Sequence, residues 1–177
     1  RYKLGMSGKN VGAKALSMAD AAWDGYKGQG KFAAGAVPIR TLMIAYPNRM
    51  HIVTVDGTGI NKMADLKGKR VSTGAPNSAT ELMAARVLEA AGIDQESDIR
   101  RGRLDPGKSS DAIKDKKLDA YFWVGGIPTA AVTDLGATPG TKLKLVDHAE
   151  VVDNMNKKYG PLYIRDTIPA KSYPGQD

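Results

Sequence analysis

The stretch that decides the fold runs from Lys67 to Gly92 and reads KGKRVSTGAPNSATELMAARVLEAAG. Residues 70–73 favour a buried strand, and the Gly-Ala-Pro-Asn sequence that follows is typical of a turn. An amphipathic helix comes next, and Ser78 and Glu81 at its start have the spacing of a capping box. In that motif the serine oxygen accepts a hydrogen bond from the amide of Glu81, while the glutamate bonds back to the amide of Ser78. The order of strand, loop and helix predicts an α/β unit.

The start of this helix is a candidate anion site. Free amides in the first helical turn point out of the helix, and the helix dipole favours a carboxylate or phosphate beside them. The gain is about 0.3–1 kcal/mol at an exposed site and up to about 2 kcal/mol at a partly buried one. A capped helix that binds nothing is the alternative that this loop leaves open.

A second junction between a strand and glycines follows in the same unit. Residues 118–124 form a continuous apolar, aromatic-rich run (LDAYFWV) that is short enough for a parallel strand. Residues 125–128 (GGIP) end the run, and an alanine-rich helix with Pro128 in its first turn is predicted to follow as far as Leu135. Open parallel sheets bind ligands at the carboxyl ends of their strands, so this junction is a second candidate for ligand contact. Trp123 is predicted either as core or as a pocket wall.

The composition is that of an ordinary globular protein with an excess of positive charge. The chain has 177 residues, of which 42% are hydrophobic and 25% charged, and its net charge is +7. Lys and Arg are spread through the sequence, whereas nucleic-acid binders more often concentrate them. We therefore predict a mostly solvated surface, with mild steering of an anionic solute as the alternative, and no nucleic-acid partner. No apolar run approaches the ~20 residues of a membrane span, so the chain is not predicted to span a membrane.

Signals for catalysis, cofactors and metals fail on their context. The chain has no cysteine, which excludes disulfides, thiolate metal sites and a cysteine nucleophile. Residues 25–31 match the spacing of a phosphate-binding P-loop, but they follow a predicted helix and Phe32 replaces the hydroxyl residue. His51 and His148 lack the partners of a metal site, and no Gly-x-Ser-x-Gly sequence presents a serine nucleophile. The sequence thus predicts no enzyme, no cofactor and no metal.

The rest of the chain is predicted as further helices and strands. A first helix has Ser7 or Asn10 as its cap, and strands are predicted at residues 42–46 and 51–55. Ser110 is predicted to cap a short helix before the aromatic-rich strand. These elements continue the alternation of strands and helices that an α/β protein shows.

Three sequence runs together resemble one family. They are DLKGKRVSTGAPNSATELMAARVLEAAGI from Asp65, KLDAYFWVGGIPTAAVTDL from Lys117, and YGPLY with IPAKSYPG between Tyr159 and Gly175. In this order they closely resemble the TAXI family, the extracytoplasmic solute receptors of TRAP transporters, and the resemblance extends over nearly the whole chain. It implies a type II periplasmic-binding-protein-like α/β fold, with two lobes that close over a small, usually carboxylated solute. It also implies a periplasmic location after removal of a signal peptide, and delivery of the solute to TRAP-type membrane permease subunits.

The same resemblance implies how the lobes and the ligand contacts are distributed. Family members are longer, so the chain is expected to be a fragment in which one lobe is complete and the other partial. Residues 1–59 would form the partial first lobe and first crossover, residues 60–162 the second α/β lobe, and residues 163–177 the return crossover. The expected ligand contacts from both lobes are Gly74, Ala75, Asn77, Ser78, Ala79, Thr80, Trp123, Gly125, Gly126, Pro128, Ser7 and Asn10.

The sequence leaves alternatives open for the identity of the solute and for the class of protein. Family members often have glycine around the loop serine, whereas this chain has Asn77 and Ala79 beside Ser78, so glutamate, a dicarboxylate and a monocarboxylate all remain candidates. An effector-binding domain of a transcription regulator can share the two-lobed architecture. An α/β enzyme is the third class, and it would need a nucleophile or an acid/base pair that the sequence does not display.

Overall fold

The computed structural model describes residues 19–40 and 48–176. Its contacts divide the chain into two compact units, residues 1–48 and residues 49–177.

The described part of the first unit is helical. Helix α1 (Ala19–Lys27) is followed by one 3-10 turn at Gly30–Phe32. The predicted helix cap at Ser7 or Asn10 and the predicted strand at residues 42–46 lie outside the described residues.

The second unit is a five-stranded sheet covered by helices. Its strands are β1 (Arg49–Val55), β2 (Arg70–Ser72), β3 (Arg100–Gly102), β4 (Ala120–Gly125) and β5 (Leu143–Leu145). Its helices are α2 (Ala79–Ala90), α3 (Pro106–Lys114), α4 (Ala130–Gly136) and α5 (Val152–Tyr159). Short 3-10 turns lie at Met63–Leu66 and Ala149–Val151.

The sheet is mixed, with strand order β3-β2-β4-β1-β5. Strand β2 lies parallel to β3 and to β4, and helices α2 and α3 provide the crossover connections that parallel strands need. Strand β1 is antiparallel to both of its neighbours, with Val53 paired to Tyr121 on one side and to Leu145 on the other. The α/β class predicted from the sequence is confirmed, although the sheet is not wholly parallel.

The two faces of the sheet carry two hydrophobic cores. Successive side chains of a strand point to opposite faces, so Ile52 and Phe122 belong to the first core and Val53 and Tyr121 to the second. The first core packs the sheet against α2 and α5, and the second packs it against α3 and α4. Each fully buried large apolar side chain contributes about 1.5–3 kcal/mol. Helices on both faces therefore hold the strand ends, and the loops that leave them, in fixed positions.

Helix α2 begins and ends where the sequence predicts. Ser78 is its N-cap, and its buried face includes Ala84, Val87 and Leu88. Gly92 follows the helix with φ of +69°, a left-handed conformation that glycine adopts without strain. The predicted strand before this helix is also confirmed as β2.

Helix α3 begins earlier than the sequence predicted. Its N-cap is Asp105, whose side chain accepts a hydrogen bond from the amide of Lys108 at 2.9 Å, and Pro106 occupies the first turn. Ser110, predicted as the cap, lies inside the helix and is buried, and its hydroxyl donates to the carbonyl of Ala131. The aspartate and proline together form the stronger start signal, because proline suits the first turn and needs no amide partner.

The division between the two units falls between residues 48 and 49. Strand β1 therefore lies in the same unit as the rest of the sheet, and near the end of the chain Gln176 forms a parallel bridge with Leu143. The predicted lobe boundaries after residues 59 and 162 stay predictions.

Candidate functional site

The carboxyl ends of β2 and β4 lie side by side at one edge of the sheet. The two strands are paired in parallel, so the loops that follow them emerge at the same edge. Strand β1 runs the opposite way and begins there, with Arg49 paired to Gly125. The structure therefore brings together the two stretches that the sequence singled out, residues 74–77 and residues 125–128.

A hydrogen bond joins the start of α2 to the end of β4. Thr80 is only 5% exposed, and its Oγ1 accepts a hydrogen bond from the backbone amide of Val124 at 3.3 Å. This bond ties the first of the two loops to the strand from which the second one leaves. The bond uses one lone pair of the oxygen and leaves the hydroxyl hydrogen of Thr80 as the donor for an anionic group.

Gly74 allows the first loop to fold back on the helix start. Its φ is +100°, outside the range that side chains usually adopt. A Cβ at this position would lie 2.7 Å from Cγ2 of Thr80 and 3.0 Å from the amide nitrogen of Glu81. The glycine is therefore required by the packing of the loop itself.

Ser78 caps the helix, but the capping box is shifted by one residue. Its Oγ accepts from the amide of Glu81 at 3.1 Å, as predicted. The Glu81 carboxylate, however, accepts from the amide of Asn77 at 2.7 Å and not from that of Ser78. The Ser78 amide is already used by the turn, where it donates to the carbonyl of Ala75 at 3.1 Å. The prediction of a reciprocal box between Ser78 and Glu81 is wrong for this reason.

The Glu81 carboxylate also binds two positively charged side chains. Its Oε1 accepts from Nη2 of Arg101 at 3.0 Å and from Nε of Arg103 at 2.5 Å. Burial opposes the charged form, but the bonds from Arg103 and from the Asn77 amide, with the charge of Arg101, outweigh it and lower the pKa of Glu81. Arg101 forms a further ion pair with Glu96. These two arginines are therefore neutralised within the protein.

Arg49 is a third positively charged side chain at this edge, and it too is paired. Its Nε lies 2.6 Å from Oδ2 of Asp166, and this bond is the main reason that the pKa of Asp166 is lowered. The sequence offers no local signal for the pair, because its members are far apart along the chain.

Two backbone amides at the start of α2 have no hydrogen-bond partner among the described residues. The amides of Ser78 and Glu81 donate to groups within the loop. For the amides of Ala79 and Thr80, the part of the chain that the structure describes contains no acceptor. First-turn amides point out of the helix along its axis, so one anionic group can accept from both of them.

The loop after β4 differs from the prediction at Pro128. The peptide bond between Ile127 and Pro128 is cis, and Pro128 is exposed. Thr129, with φ of −104° and ψ of 126°, is still extended and is the N-cap of α4. The prediction that Pro128 lies in the first helical turn is therefore wrong, since the chain turns into the helix only after Thr129.

Trp123 packs on the second core and bonds to the same loop. It is half-buried, and its Nε1 donates to Oγ1 of Thr129 at 2.9 Å. A Cβ at Gly125 would lie 2.7 Å from this indole nitrogen, so the glycine makes room for the ring. One side of Trp123 thus packs on the core. The role of its other side as a pocket wall stays a prediction.

His51 and Tyr173 form a buried pair that the sequence did not indicate as part of the site. His51 is 0% and Tyr173 2% exposed, and Nε2 of the histidine lies 2.8 Å from the tyrosine hydroxyl. Burial is the chief cause that lowers the pKa of His51. The Tyr173 hydroxyl in turn accepts from the amide of Thr129 at 3.2 Å. The sequence around Tyr173 was singled out only as part of a run that resembles the family, and nothing in it pointed to this contact.

The remaining predicted contacts cannot be placed at this edge. Ser7 and Asn10 lie outside the described residues.

Within residues 19–40 and 48–176, no group of three or more histidine, aspartate or glutamate side chains could hold a metal ion. No helix in that same part of the chain is long and apolar enough to cross a membrane.

The second unit is an α/β domain in which the loops at the carboxyl ends of two parallel strands lie side by side, the place where open α/β sheets commonly bind ligands. The chain belongs to the NMT1-like family, whose model matches residues 6–177. Its mixed α/β sheet is of the class that the sequence predicted.

Several solved structures of solute-binding proteins are similar to the chain. The aliphatic sulphonate binding protein SsuA from Escherichia coli is 21% identical with a TM-score of 0.46, over 57% of this chain and 30% of that one. The alkanesulfonate-binding protein SsuA from Xanthomonas axonopodis pv. citri, bound to MOPS, is 24% identical with a TM-score of 0.45, over 57% and 32%. The L-cystine solute receptor of Neisseria gonorrhoeae is 22% identical with a TM-score of 0.38, over 56% and 36%. The chain thus spans about a third of each of these proteins.

Proposed function

We propose that the chain is part of an extracytoplasmic solute receptor of the TAXI type, which captures a small carboxylated solute and delivers it to the membrane subunits of a TRAP transporter. The resemblance of the three sequence runs to that family supports the transporter class. Membership of the NMT1-like family and the fold agree with a solute receptor. The role is one of binding and release, without a chemical step.

The observation that carries this proposal is the pair of free amides at Ala79 and Thr80. They lie at the sheet edge where the two glycine-containing loops meet, with the positive end of the α2 dipole behind them. A carboxylate can accept one hydrogen bond from each amide. Hydrogen bonds to a charged group contribute about 1.5–3 kcal/mol each, which is enough to orient a small solute.

The arginines at this edge are already paired with carboxylates of the protein. This pairing favours binding of a solute carboxylate by backbone amides over binding by a salt bridge. Arg101 and Arg103 are held by Glu81, and Arg49 is held by Asp166. A solute carboxylate that approached these arginines would have to compete with carboxylates of the protein. We therefore assign the contact from this unit to the amides of α2 and to the hydroxyl hydrogen of Thr80.

The substitution Ala79→Pro tests the site with little disturbance of the fold. It deletes one of the two free amides, and proline is well tolerated at the first position of a helix. The preceding residue, Ser78, has φ of −82° and ψ of 160°, an extended conformation that proline favours in its neighbour. We expect the melting temperature to stay nearly unchanged while affinity for the bound carboxylate falls about ten- to a hundredfold.

Titration calorimetry on the intact natural protein is the measurement, with L-glutamate, succinate, pyruvate and ethanesulfonate as probes. Ala79→Gly is the matched control, because it keeps the amide and removes only the methyl group. It should bind as well as the unmodified protein or better. Equal affinity in the proline and glycine variants would mean that the solute is held elsewhere, and binding of ethanesulfonate in preference to all three carboxylates would reject the carboxylate class.

The transporter assignment has a separate test. Mass spectrometry of the solute that co-purifies with the intact protein identifies the natural cargo. Uptake of that solute by membrane vesicles should then require both this protein and TRAP-type permease subunits. Uptake that proceeds with an ATP-driven permease instead would contradict the TAXI assignment while leaving the binding site intact.

A further inference from the structure

Four residues are linked in a chain by hydrogen bonds from strand β1 to the loop after β4, with Thr129 taking part through both its backbone amide and its hydroxyl. In order, they are His51, Tyr173, Thr129 and Trp123. They come from three parts of the sequence that the fold brings together in the second unit. The direction of every bond in this chain can be assigned from the chemistry of its atoms.

The direction begins at His51. Its Nδ1 lies 3.0 Å from the carbonyl oxygen of Arg49, which can only accept, so Nδ1 carries the hydrogen in the neutral ring. Nε2 then has a free lone pair, and the Tyr173 hydroxyl donates to it at 2.8 Å. The tyrosine oxygen is thereby left as an acceptor, and the backbone amide of Thr129 donates to it at 3.2 Å.

The Thr129 side chain completes the arrangement. Its hydroxyl donates to the carbonyl of Gly126 at 2.8 Å and accepts from Nε1 of Trp123 at 2.9 Å. The two ends of the loop, residues 126 and 129, are therefore closed by one side chain, and the backbone of Thr129 is held from the other side by Tyr173. The orientation of the Gly126 peptide depends on this closure.

Burial makes the Tyr173 end of the chain the rigid one. Its ring packs edge-on against that of His51, with 5.8 Å between centroids, and it belongs to the second core. We infer that Tyr173 is a positioning residue that holds the loop from Gly126 to Thr129 in the conformation that the candidate site requires. The relevance of this loop to a solute rests on the proposed function, whereas the positioning itself does not.

The alternative role for Tyr173 is packing alone, and one pair of substitutions separates the two. Tyr173→Phe keeps the ring and removes the hydroxyl. Tyr121→Phe is a matched control in the same core, since Tyr121 is also buried and its hydroxyl lies 3.0 Å from Oγ of Ser110 and forms no hydrogen bond with residues 126–129. Both variants lose one buried hydroxyl, but Tyr173→Phe also leaves His51 Nε2 and the Thr129 amide without a partner, so its melting temperature should fall further.

Nuclear magnetic resonance on the intact natural protein measures the environment of Trp123 and the exchange of the Thr129 amide directly. In a Trp23→Phe background the other tryptophan of this chain, Trp123, has its own indole N–H resonance. Tyr173→Phe should shift that resonance and speed hydrogen exchange at the Thr129 amide about tenfold, whereas Tyr121→Phe should leave both unchanged. Identical exchange and identical indole shifts in the two variants would show that Tyr173 only packs, and the inference would be wrong.

Affinity measurements with small carboxylates test whether this loop contributes to the candidate site. Affinities for L-glutamate, succinate and pyruvate should be about three- to tenfold weaker in Tyr173→Phe and unchanged in Tyr121→Phe. Faster exchange at Thr129 with unchanged affinity would refute the link between this loop and the solute. If the unmodified protein binds none of the three probes, the proposed function fails, and the exchange measurement still decides whether Tyr173 positions the loop.

Discussion

The hydroxyl oxygen of Thr80 accepts a hydrogen bond from the backbone amide of Val124 at 3.3 Å. One of these residues lies in the first turn of α2 and the other near the end of β4, so a single contact fixes the spacing between the two loops of the candidate site. The bond is buried, so the Val124 amide would lose this acceptor away from water if Thr80 lost its hydroxyl.

The substitution Thr80→Val should lower stability because it leaves the Val124 amide without a partner. A buried donor that loses its acceptor costs about 1–3 kcal/mol. Thr80→Ser is the control, because it retains the hydroxyl and should lose less. Chemical denaturation of both variants gives the free energies of unfolding. A valine variant as stable as the serine variant would show that this bond contributes nothing.

Gly74→Ala should be much more destabilising than Gly140→Ala. Both glycines have positive φ, +100° and +77°, so both substitutions carry a conformational penalty of about 1–2 kcal/mol. Only at Gly74 does the new Cβ clash, at 2.7 Å from Thr80, whereas nothing lies within 4 Å of it at Gly140. Overpacking should add about 1–3 kcal/mol at Gly74. Thermal melts of the two variants measure the difference, and equal losses would mean that the loop relaxes around the methyl group.

Glu81→Gln should destabilise the protein more than Glu96→Gln. Both carboxylates bind Arg101, but the Glu81 side chain is 14% exposed and that of Glu96 is 67% exposed. Glu81 also holds Arg103, so its neutralisation should cost about 1.5–3 kcal/mol, the range for hydrogen bonds to charged groups. The exposed pair of Glu96 contributes about 0–1 kcal/mol. Denaturant titrations compare the two, and a larger loss for Glu96→Gln would contradict this ranking.

Stability should fall as the pH is lowered below the ordinary histidine range, because of His51. Burial, the largest cause, lowers the pKa of His51 in the folded protein from its usual 6.5. Between the lowered folded value and 6.5 the unfolded chain binds more protons than the folded one, so the free energy of unfolding decreases as the pH falls through that window. Above 6.5 the contribution of His51 to stability is fully present.

Denaturation as a function of pH in a His148→Gln background isolates His51, because the chain has two histidines. The additional change His51→Gln should flatten the dependence in this window. A slope that persists after the substitution would assign the effect to other groups.

Local signals in the sequence were sufficient to predict the first loop and helix α2, apart from the partner of Glu81. Ser78 caps α2 through an atom three residues away, and Gly74 and Gly92 are needed by backbone conformations that a short window reveals. The shift of the Glu81 bond to Asn77 could not be seen in the pattern, because it depends on which turn amide is already used. Pro128 was misplaced for a similar reason, since Thr129 stays extended before the helix.

Contacts between distant segments lay beyond the sequence pattern. Thr80 reads as a first-turn residue facing a ligand, and only the pairing of β2 with β4 places Val124 beside it. Arg101 and Arg103 read as a basic group, and only the fold places Glu81 between them. The ligand contacts themselves remain predictions, because a site for a small molecule leaves no periodic signal in the chain.

The antiparallel strand β1, which lies next to the central strand of the sheet, also bears on how the unit folds. Val53 pairs with Tyr121 on one side and with Leu145 on the other, so the earliest strand of the unit finds both of its neighbours among much later residues. Pairings that are so distant along the chain are slow to form, because loop closure must precede them. During synthesis β1 must wait for both partners to leave the ribosome, and in that interval its apolar residues are exposed to aggregation. A protein with this order of strands is therefore expected to depend on protection of its nascent chain.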